Sequence, residues 1–431
     1  MSCATGSLTY LTADLPGIGG TIKGRPEDFL VEEQPQYEPS GEGEHLFLYI
    51  EKRRQTTTDV IRRVAKMFSV QRGKIGYAGL KDKHAVTRQH LSVHLPDPSN
   101  DEKYLSRFEF TPFKLLWSRR HHNKLRRGHL KSNRFVIYIR NVDASAAVRV
   151  RPVLDLLINQ GAPNYFGHQR FGYRQMNHEL GRLLLTRRWQ VLLDLMLGGA
   201  RETDNPATHA GRKAYDRGDY TAAIEVWSKY LRHDRQALDA LCKGKNAHDA
   251  VMAVEQHQRE FLISAMQSAM FNDVLDQRVE AGLLSRLVEG DLASLHANRA
   301  VFAVDADQAR ADNAPGGRVD RLEVSPSGPM WGPRMTMPAA APLACELRVL
   351  ERYELSQALL DQADHITIIG SRRPMRMAIA NPDLAGGADE HGPYVRLAFD
   401  LDKGSFATTI LREIMKNDDT SESPRSRTHN P

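Results

Sequence analysis

The sequence predicts an α+β protein in which a mainly helical segment interrupts a domain of helices and mixed, largely antiparallel strands. Strand and helix patterns alternate at both ends of the 431-residue chain, whereas helical periodicity dominates from about residue 163 to residue 372. A chain of this length can bury more than one core. We therefore predict that residues 1–162 and 373–415 form the α+β domain, residues 163–372 a helical insertion, and residues 416–431 a disordered tail.

The α+β domain is predicted from strands that alternate apolar and polar positions and from helices with 3.6-residue spacing. The strand patterns are residues 46–50, 91–95, 135–140 and 395–401. One helix is expected at residues 56–68, after a Thr and Asp start that suits an N-cap. A last helix is expected after Gly404, with Ser405 as its cap and Phe406 on its apolar face.

The insertion is predicted from longer helical patterns, which are residues 173–197, 214–232, 261–279 and 351–362. Residues 201–245 contain a helix pair that resembles one tetratricopeptide unit. Because a solenoid needs about three or more units, we interpret this pair as a helical hairpin. The stretch 305–334 is rich in Asp, Gly and Pro and is expected to form irregular loops.

Composition and cysteine use exclude several classes of protein. The chain is 41% hydrophobic and 26% charged, with a mean hydropathy of −0.49. No apolar run approaches the roughly 20 residues that a membrane helix needs, and the first residues lack a signal-peptide pattern. The three cysteines stand far apart without CxxC spacing. We therefore expect a cytoplasmic protein with no membrane association, no disulfide framework and no zinc site.

The basic character of the chain is concentrated in one segment, residues 114–134. This basic segment holds eight Lys or Arg and no Asp or Glu, whereas the whole chain has a net charge of +6, so the remaining residues sum to −2. Arg126 and Arg127 lie in its middle, and Trp117 lies near its start. Such a stretch is the electrostatic footprint of a protein that binds phosphate backbones. The alternative interpretation is a solvated charged face or a flexible basic loop.

A single carboxylate stands out in the N-terminal half of the chain. Asp82 lies between Lys81 and Lys83, just after a turn that contains Gly76 and Gly79. Two neighbouring ammonium groups favour the ionised form of a carboxylate. Glycine permits positive φ or close approach of the backbone to a partner. We therefore predict that Asp82 is charged, exposed and catalytic.

Seven segments, in order along nearly the whole chain, are similar to motifs of one family. They are IKGRPEDFLVEE from Ile22, SGEGEHLFLYIEK from Ser40, GYAGLKDKHAVTRQ from Gly76, SNRFVI from Ser132, PNYFGHQRFG from Pro163, SAMQSAMFN from Ser264 and GSFATTILRE from Gly404. The chain resembles the TruD family of tRNA pseudouridine synthases. The resemblance implies a pseudouridine-synthase core built jointly by the N- and C-terminal segments, with a large helical insertion, the TRUD domain.

The resemblance implies an isomerase that converts a uridine of tRNA, uridine 13 in the D-arm, into pseudouridine. The reaction breaks the N1 glycosidic bond, turns the uracil and rejoins it through C5, so no cofactor is required. It needs a carboxylate that either attacks C1′ or removes a C2′ proton, and the sequence leaves both routes open. The base must first leave the RNA helix. We expect tRNA as the partner, no metal, no nucleotide cofactor and a monomeric protein.

The resemblance also assigns site residues. Asp82 stands at the catalytic aspartate of the motif GxKD(K/R)HA, and Lys23 matches a lysine near this aspartate, which we expect to keep it ionised and oriented. Asn133 and Phe135 match positions near the target base, and Phe406 matches another active-site aromatic. The predicted substrate-binding residues are Asn133, Phe135, Phe406, Lys81, Lys83, His84, Arg126 and Arg127.

Two other functions are consistent with parts of the sequence. The GYAG segment from Gly76 to Gly79 matches the GXXG loop of KH domains, which would indicate a non-catalytic RNA-binding protein. That loop normally joins two helices, whereas here a strand pattern follows. A nucleotide-binding enzyme is the second alternative, but the GxxxxGK[ST] spacing of a P-loop is absent.

Overall fold

The structure is a computed structural model, and it describes residues 8–417. The chain forms two compact units. The core unit consists of Tyr10–Asn164 and Met377–Pro431, and the insert unit consists of Met1–Thr9 and Tyr165–Arg376. The chain crosses between the units two residues beyond the first predicted boundary and four residues beyond the second.

Strands and helices are numbered along the chain. The strands are β1 Phe29–Pro35, β2 His45–Arg53, β3 Ile75–Tyr77, β4 Val86–His94, β5 Phe113–His121, β6 Leu130–Arg140, β7 Ala162–Pro163, β8 Leu292–Leu295, β9 Val301–Ala303, β10 Val324–Met330, β11 Ser371–Pro374, β12 Arg376–Met377, β13 Ala380–Asp389 and β14 Gly392–Asp402. The helices are α1 Thr57–Met67, α2 Asp101–Leu105, α3 Ala146–Gln160, α4 Asn177–Leu185, α5 Trp189–Leu197, α6 Pro206–Asp216, α7 Tyr220–Val226, α8 Arg232–Cys242, α9 Ala247–Met252, α10 Gln256–Glu280, α11 Ala306–Asp312, α12 Ala340–Arg352, α13 Gln357–Asp361 and α14 Ala407–Met415.

The core unit is built on one mixed sheet of eight strands. Its order is β13-β14-β6-β1-β4-β2-β5, and β3 pairs with β4. The β1–β4 pair is parallel, and the other pairs are antiparallel. Because β14 lies between β13 and β6, the C-terminal segment completes a sheet that the N-terminal segment begins. The predicted α+β fold class is confirmed.

Helices cover one face of this sheet. The helix α1 begins as predicted, because Thr56 and Asp59 form a reciprocal capping box. Its apolar side packs on Leu48 and Ile50 of β2. A second cluster joins β6 and β14 to α3 and α14, and it includes Ile137. In the strand pairing, Lys52 of β2 lies opposite Thr87 of β4. Val31 of β1 lies opposite Thr87 on one side and opposite Phe135 of β6 on the other. Cross-strand neighbours share a face, so this face carries the following row: Lys52, Thr87, Val31 and Phe135.

The insert unit is mainly helical, as predicted, but it also contains a sheet that the sequence pattern did not reveal. This sheet has the order β11-β10-β8-β9. The prediction of irregular loops at residues 305–334 is therefore wrong, because this stretch contains α11 and β10. The two prolines of β10, at Pro326 and Pro329, argue against a central strand. The strand tolerates them because Val324–Pro326 pairs with β8, while the remainder pairs with β11.

Several predicted helix limits are corrected. The expected helix at 173–197 is two helices, separated near Arg187, which has a φ of 56°. The pattern at 214–232 is divided among α6, α7 and α8, and the pattern at 351–362 between the end of α12 and α13. Ser405 is not the cap of the last helix, because α14 begins at Ala407 with Phe406 in the N-cap position.

The C-terminal end of the described chain is ordered through Asn417. Its side-chain amide donates to the carbonyl oxygen of Gly20 at 2.7 Å, and the Lys416 ammonium donates to the carbonyl oxygen of Thr12. The rest of the predicted tail lies outside the described residues. Within residues 8–417, no helix combines the length and the apolar character that crossing a membrane requires.

Candidate active site

Asp82 lies on the loop that connects β3 to β4. Its side chain is 45% exposed, and its Oδ2 lies 2.9 Å from the Nζ of Lys23, which is only 7% exposed. Lys23 adopts a left-handed backbone conformation with a φ of 58°. Its ammonium also lies 4.7 Å from the ring centroid of Phe29. A buried cation therefore orients a carboxylate that solvent and substrate can reach.

The Lys81 side chain turns into the protein. Its Nζ lies 2.9 Å from Oε2 of Glu33 and donates to Oδ1 of Asn133. Glu33 and Asn133 are cross-strand neighbours on β1 and β6, so the ammonium bridges two strands of the sheet. This arrangement fixes the amide of Asn133 and ties the loop residue before Asp82 to the sheet.

Glu33 is a buried carboxylate, with 1% of its side chain exposed. Its Oε1 accepts from the backbone N–H of His90 at 3.1 Å and lies 3.2 Å from Nδ1 of the same residue. Burial alone would raise the pKa of Glu33, but the hydrogen bond with His90 and the Lys81 ammonium more than offset it, so the pKa lies below its usual value of 4.5. The carboxylate therefore stays charged beneath the loop.

A second lysine holds the loop backbone. Lys52 is fully buried, and its Nζ donates to the carbonyl oxygens of Gln55 at 2.8 Å and of Asp82 at 2.9 Å. Burial lowers the pKa of Lys52 to about 8, and the charge of Asp82 opposes this effect. The backbone N–H of Lys81 donates to Thr57 Oγ1 at 2.9 Å, and that hydroxyl donates to Gln89.

Sequence reasoning missed Lys52, Glu33, Thr57 and Gln89. A signal for Lys52 was nevertheless present. In β2 the alternation of Leu48 and Ile50 places Lys52 on the helix-covered face. A lysine at a buried position of a strand pattern is rare unless a partner is provided.

The other predicted site residues differ in exposure. Lys83 and His84 are exposed on the loop beside Asp82. Phe406 is 38% exposed. In contrast, Phe135 is buried in the core, with ring centroids 6.2 Å from Phe29 and 5.8 Å from Phe399. The structure thus brings Lys23, Lys81 and Asn133 to the Asp82 loop and places Phe135 two positions along β6 from Asn133.

The turn between β5 and β6 is anchored to the same loop. It carries Arg126 and Arg127, both exposed. The N–H of Gly128 donates to the carbonyl oxygen of Ala78 at 2.8 Å, and Arg127 donates to the Tyr77 hydroxyl at 2.7 Å. The centre of the basic segment therefore borders the strand and loop that lead to Asp82.

One cluster of metal-type donors occurs among the described residues, and it lies in the insert unit. One donor atom from each of His233, Glu255 and His257 lies within 4.8 Å of the others. Arg232 already forms an ion pair with Glu255, and the Gln236 amide donates to the same carboxylate at 3.2 Å. Glu255 is thus occupied by protein donors, and the cluster is better described as part of a polar network that connects α8 to the start of α10.

Comparisons with known proteins agree over nearly the whole chain. The sequence model of the family described as "tRNA pseudouridine synthase D (TruD)" matches residues 5–414. A tRNA pseudouridine synthase D of Geobacter sulfurreducens is 38% identical over 408 residues, covering 94% of this chain and 96% of the relative. One from Thermus thermophilus is 36% identical over 408 residues, covering 94% of this chain and 92% of the relative.

A solved structure has the same fold. The crystal structure described as a tRNA pseudouridine synthase D (TruD) of Methanosarcina mazei superposes with a TM-score of 0.79 at 26% sequence identity. The match covers 96% of this chain and 98% of that chain. The similarity therefore includes both units of the molecule.

Proposed function

The chain belongs to the TruD family of tRNA pseudouridine synthases, and from this premise we propose that Asp82 is its catalytic carboxylate and that its target is uridine 13 in the D-arm of tRNA. The family assignment makes the protein an isomerase that converts uridine of tRNA into pseudouridine. The position of the target uridine comes from the sequence resemblance. The assignment of Asp82 as the catalytic carboxylate rests on the resemblance together with the geometry of its loop.

The observation that carries this proposal is the Asp82–Lys23 ion pair, with its exposed carboxylate and buried ammonium 2.9 Å apart. The reaction needs a carboxylate that reaches the ribose in its charged form. Asp82 either attacks C1′ or removes the C2′ proton. The N1–C1′ bond breaks, the uracil turns, and C5 bonds to C1′. On the first route this step breaks the bond between Asp82 and C1′, and on the second route Asp82 returns the proton to C2′. C5 then loses its proton and N1 gains one, so the atoms of the nucleoside are conserved.

The remaining site residues fit roles around a flipped nucleotide. We propose that the exposed ring of Phe406 stacks on the base and that Asn133, fixed by Lys81, hydrogen-bonds it or the neighbouring backbone. Phe135 shapes the floor of the site from the core. The exposed polar side chains near the loop contact phosphates, and these are Lys83, His84, Arg126 and Arg127. The enzyme acts as a monomer in the cytoplasm, without metal or nucleotide.

The alternative of a non-catalytic RNA-binding protein with a KH-type loop has less support. Gly76 lies inside β3 and pairs with Ser92 of β4. A KH loop joins two helices. The GYAG segment instead continues a strand.

The test is chemical mapping of pseudouridine in tRNA incubated with the wild-type protein or with Asp82→Asn. Loss of the carboxylate is expected to lower the rate at least about a thousandfold, or roughly 4 kcal/mol, because the ribose step loses its nucleophile or base. Binding of tRNA should be retained. Asp14→Asn, which changes an exposed carboxylate of the same unit, is the matched control. Comparable modification by Asp82→Asn would refute the catalytic role, and product at another uridine would refute the assigned position.

A further inference from the structure

Lys52 is a fully buried cation whose ammonium faces backbone oxygens. Its Nζ donates to the carbonyl oxygens of Gln55 and Asp82 at 2.8 and 2.9 Å and lies 3.5 Å from that of Lys81. No carboxylate within the described part of the chain forms an ion pair with it. Burial of an ammonium without an acidic partner is costly. Charge-assisted hydrogen bonds to the catalytic loop offset this cost.

Lys52 is held in place by the sheet, so its side chain would not move together with the loop that carries Asp82. It lies on β2 on the same face as Leu48 and Ile50, which pack under α1. Its cross-strand neighbour Thr87 is also fully buried. Because no part of the side chain is exposed, the ammonium cannot swing outward to solvent. It is therefore a fixed point beneath a loop that has no regular secondary structure.

Two lysines hold Asp82, one at its side-chain carboxylate and one at its main-chain carbonyl oxygen. Lys23 contacts the side-chain carboxylate at 2.9 Å, and Lys52 contacts the main-chain carbonyl oxygen at 2.9 Å. The other charged groups that act on Lys52 are Lys81 and Asp59. Contact at the carboxylate alone would orient the side chain but leave the carbonyl group of Asp82 without a fixed partner.

We propose that Lys52 is a positioning residue, which uses its charge to fix the backbone of Asp82 so that the carboxylate meets the ribose of the target uridine. This proposal rests on the proposed function of Asp82. A displacement of the reacting group by about 1 Å can cost about a hundredfold in rate. Loss of the ammonium is therefore expected to affect the chemical step and to leave tRNA affinity near the wild-type value.

The experiment measures single-turnover pseudouridine formation with saturating protein, together with tRNA affinity and thermal unfolding. Lys52→Ala is expected to lower the rate about a hundredfold. Adding propylamine, which restores the missing three carbons and the ammonium, should recover part of the rate. 1-Propanol, which has the same size but no charge, should not. A purely structural role of the side-chain volume would be rescued equally by both compounds.

Two further variants keep the proposal testable if Lys52→Ala does not fold. Lys52→Met keeps the length of the side chain and removes the charge, and it should show the same loss of rate. Arg235→Met is the matched control, because Arg235 also donates to two backbone carbonyl oxygens, those of Ile224 and Trp227, but lies in the insert unit. It should keep the wild-type rate. A folded Lys52→Met protein with the wild-type rate would overturn the proposal, and so would equal rescue by amine and alcohol. The catalytic role of Asp82 is judged separately by Asp82→Asn.

Discussion

Gly76 and Gly79 have different physical roles, although both precede Asp82 in one short motif. Neither glycine is in the positive-φ region. A Cβ on Gly76 would lie 2.2 Å from the carbonyl oxygen of Leu125 and 2.5 Å from the Ser92 hydroxyl. A Cβ on Gly79 would meet no atom within 4 Å. Close approach of the β5–β6 turn therefore explains Gly76, whereas the positive φ that glycine permits is used at neither position.

We predict that Gly76→Ala destabilises the protein by about 3 kcal/mol, because the added methyl group meets a backbone oxygen that cannot move independently. Gly79→Ala is the matched control, and it should change the free energy of unfolding by less than about 0.5 kcal/mol. Denaturant unfolding of both variants tests this prediction. Equal stability of the two variants would contradict it.

Glu33 gives a prediction about pH. Its pKa is lowered in the folded protein, so the unfolded chain takes up a proton first as the pH falls. The stabilisation that Glu33 provides is therefore complete above its ordinary pKa of 4.5 and is lost as the pH falls through the lower value of the folded state. Glu33→Gln leaves the buried Lys81 without its acid and should cost about 3 kcal/mol at pH 7.

The difference in unfolding free energy between wild type and Glu33→Gln should shrink as the pH is lowered below 4.5. Glu38→Gln, at an exposed position shortly after β1, is the control and should show little difference at any pH. A difference for Glu33→Gln that is constant from pH 7 down to the acid transition would mean that the charge of Glu33 does not stabilise the fold.

At this scale the sequence predicted that Asp82 is exposed, which the structure shows, but not all of its surroundings. Lys81 and Lys83 flank Asp82 in the chain, and both were expected to act on it. The structure instead directs Lys81 to Glu33, and the cation beside Asp82 is Lys23, which is 59 residues away and which the family resemblance, but not the local charge pattern, placed near it. The direction of a side chain depends on the packing of the whole sheet, which local charge patterns do not encode.

At the scale of structural elements, the cations of the basic segment have two fates. Some make structural contacts within the protein, and others stay exposed. It forms the edge strand β5, a turn and the start of β6. Arg120 is committed to structure, because it donates to Asp101 and to the carbonyl oxygens of Gly43 and Leu95. Arg134 likewise donates to Asp400. The exposed cations of the turn remain the best candidates for contacts with RNA.

We predict that replacing Arg126 and Arg127 with alanine weakens tRNA binding and makes it less dependent on salt. Each phosphate contact that is lost should reduce the slope of log affinity against log salt by about 0.9 for a duplex. Titrations at several salt concentrations measure this slope. Arg151→Ala is the control, since Arg151 is exposed on α3 outside the basic segment. An unchanged slope would mean that the turn is a solvated surface only.

Local signals predicted some elements well and others poorly. The helix α1 was found because its cap and its apolar spacing are contained in its own residues. The strand β10 was missed because its sequence, VSPSGPM, contains two prolines and one glycine. It is a strand because β8 and β11 each pair with one part of it. Tertiary pairing of this kind overrides local propensity.

At the scale of the whole molecule, the sequence predicted a domain that the chain leaves and re-enters. The change from mixed to helical patterns predicted boundaries near residues 163 and 373, and the resemblance implied that the N- and C-terminal segments jointly form the core. The structure shows β14 from the C-terminal segment between β13 and β6. Residues of both segments meet in one cluster, which includes Ile137, Leu397 and Leu411.

This organisation predicts that the core unit folds without the insert. Three apolar clusters among the described residues contain residues of the core unit only, and β7 and β12 pair where the chain leaves and re-enters the unit. A short Gly/Ser linker from Asn164 to Met377 should therefore close the chain at little cost, because loop-closure entropy grows slowly with length. We expect such a protein, ending at Asn417, to unfold in one cooperative transition in denaturant.

The control is residues 10–164 alone, which lack β13, β14 and α14. This fragment should not fold, because β6 would present an unpaired edge and 11 of the 25 buried residues of the cluster around Ile137 would be missing. Circular dichroism and hydrogen exchange distinguish the two outcomes. Cooperative folding of residues 10–164 alone would show that the C-terminal segment is an addition to a complete domain, whereas failure of the linked protein would show that the insert unit supports the core.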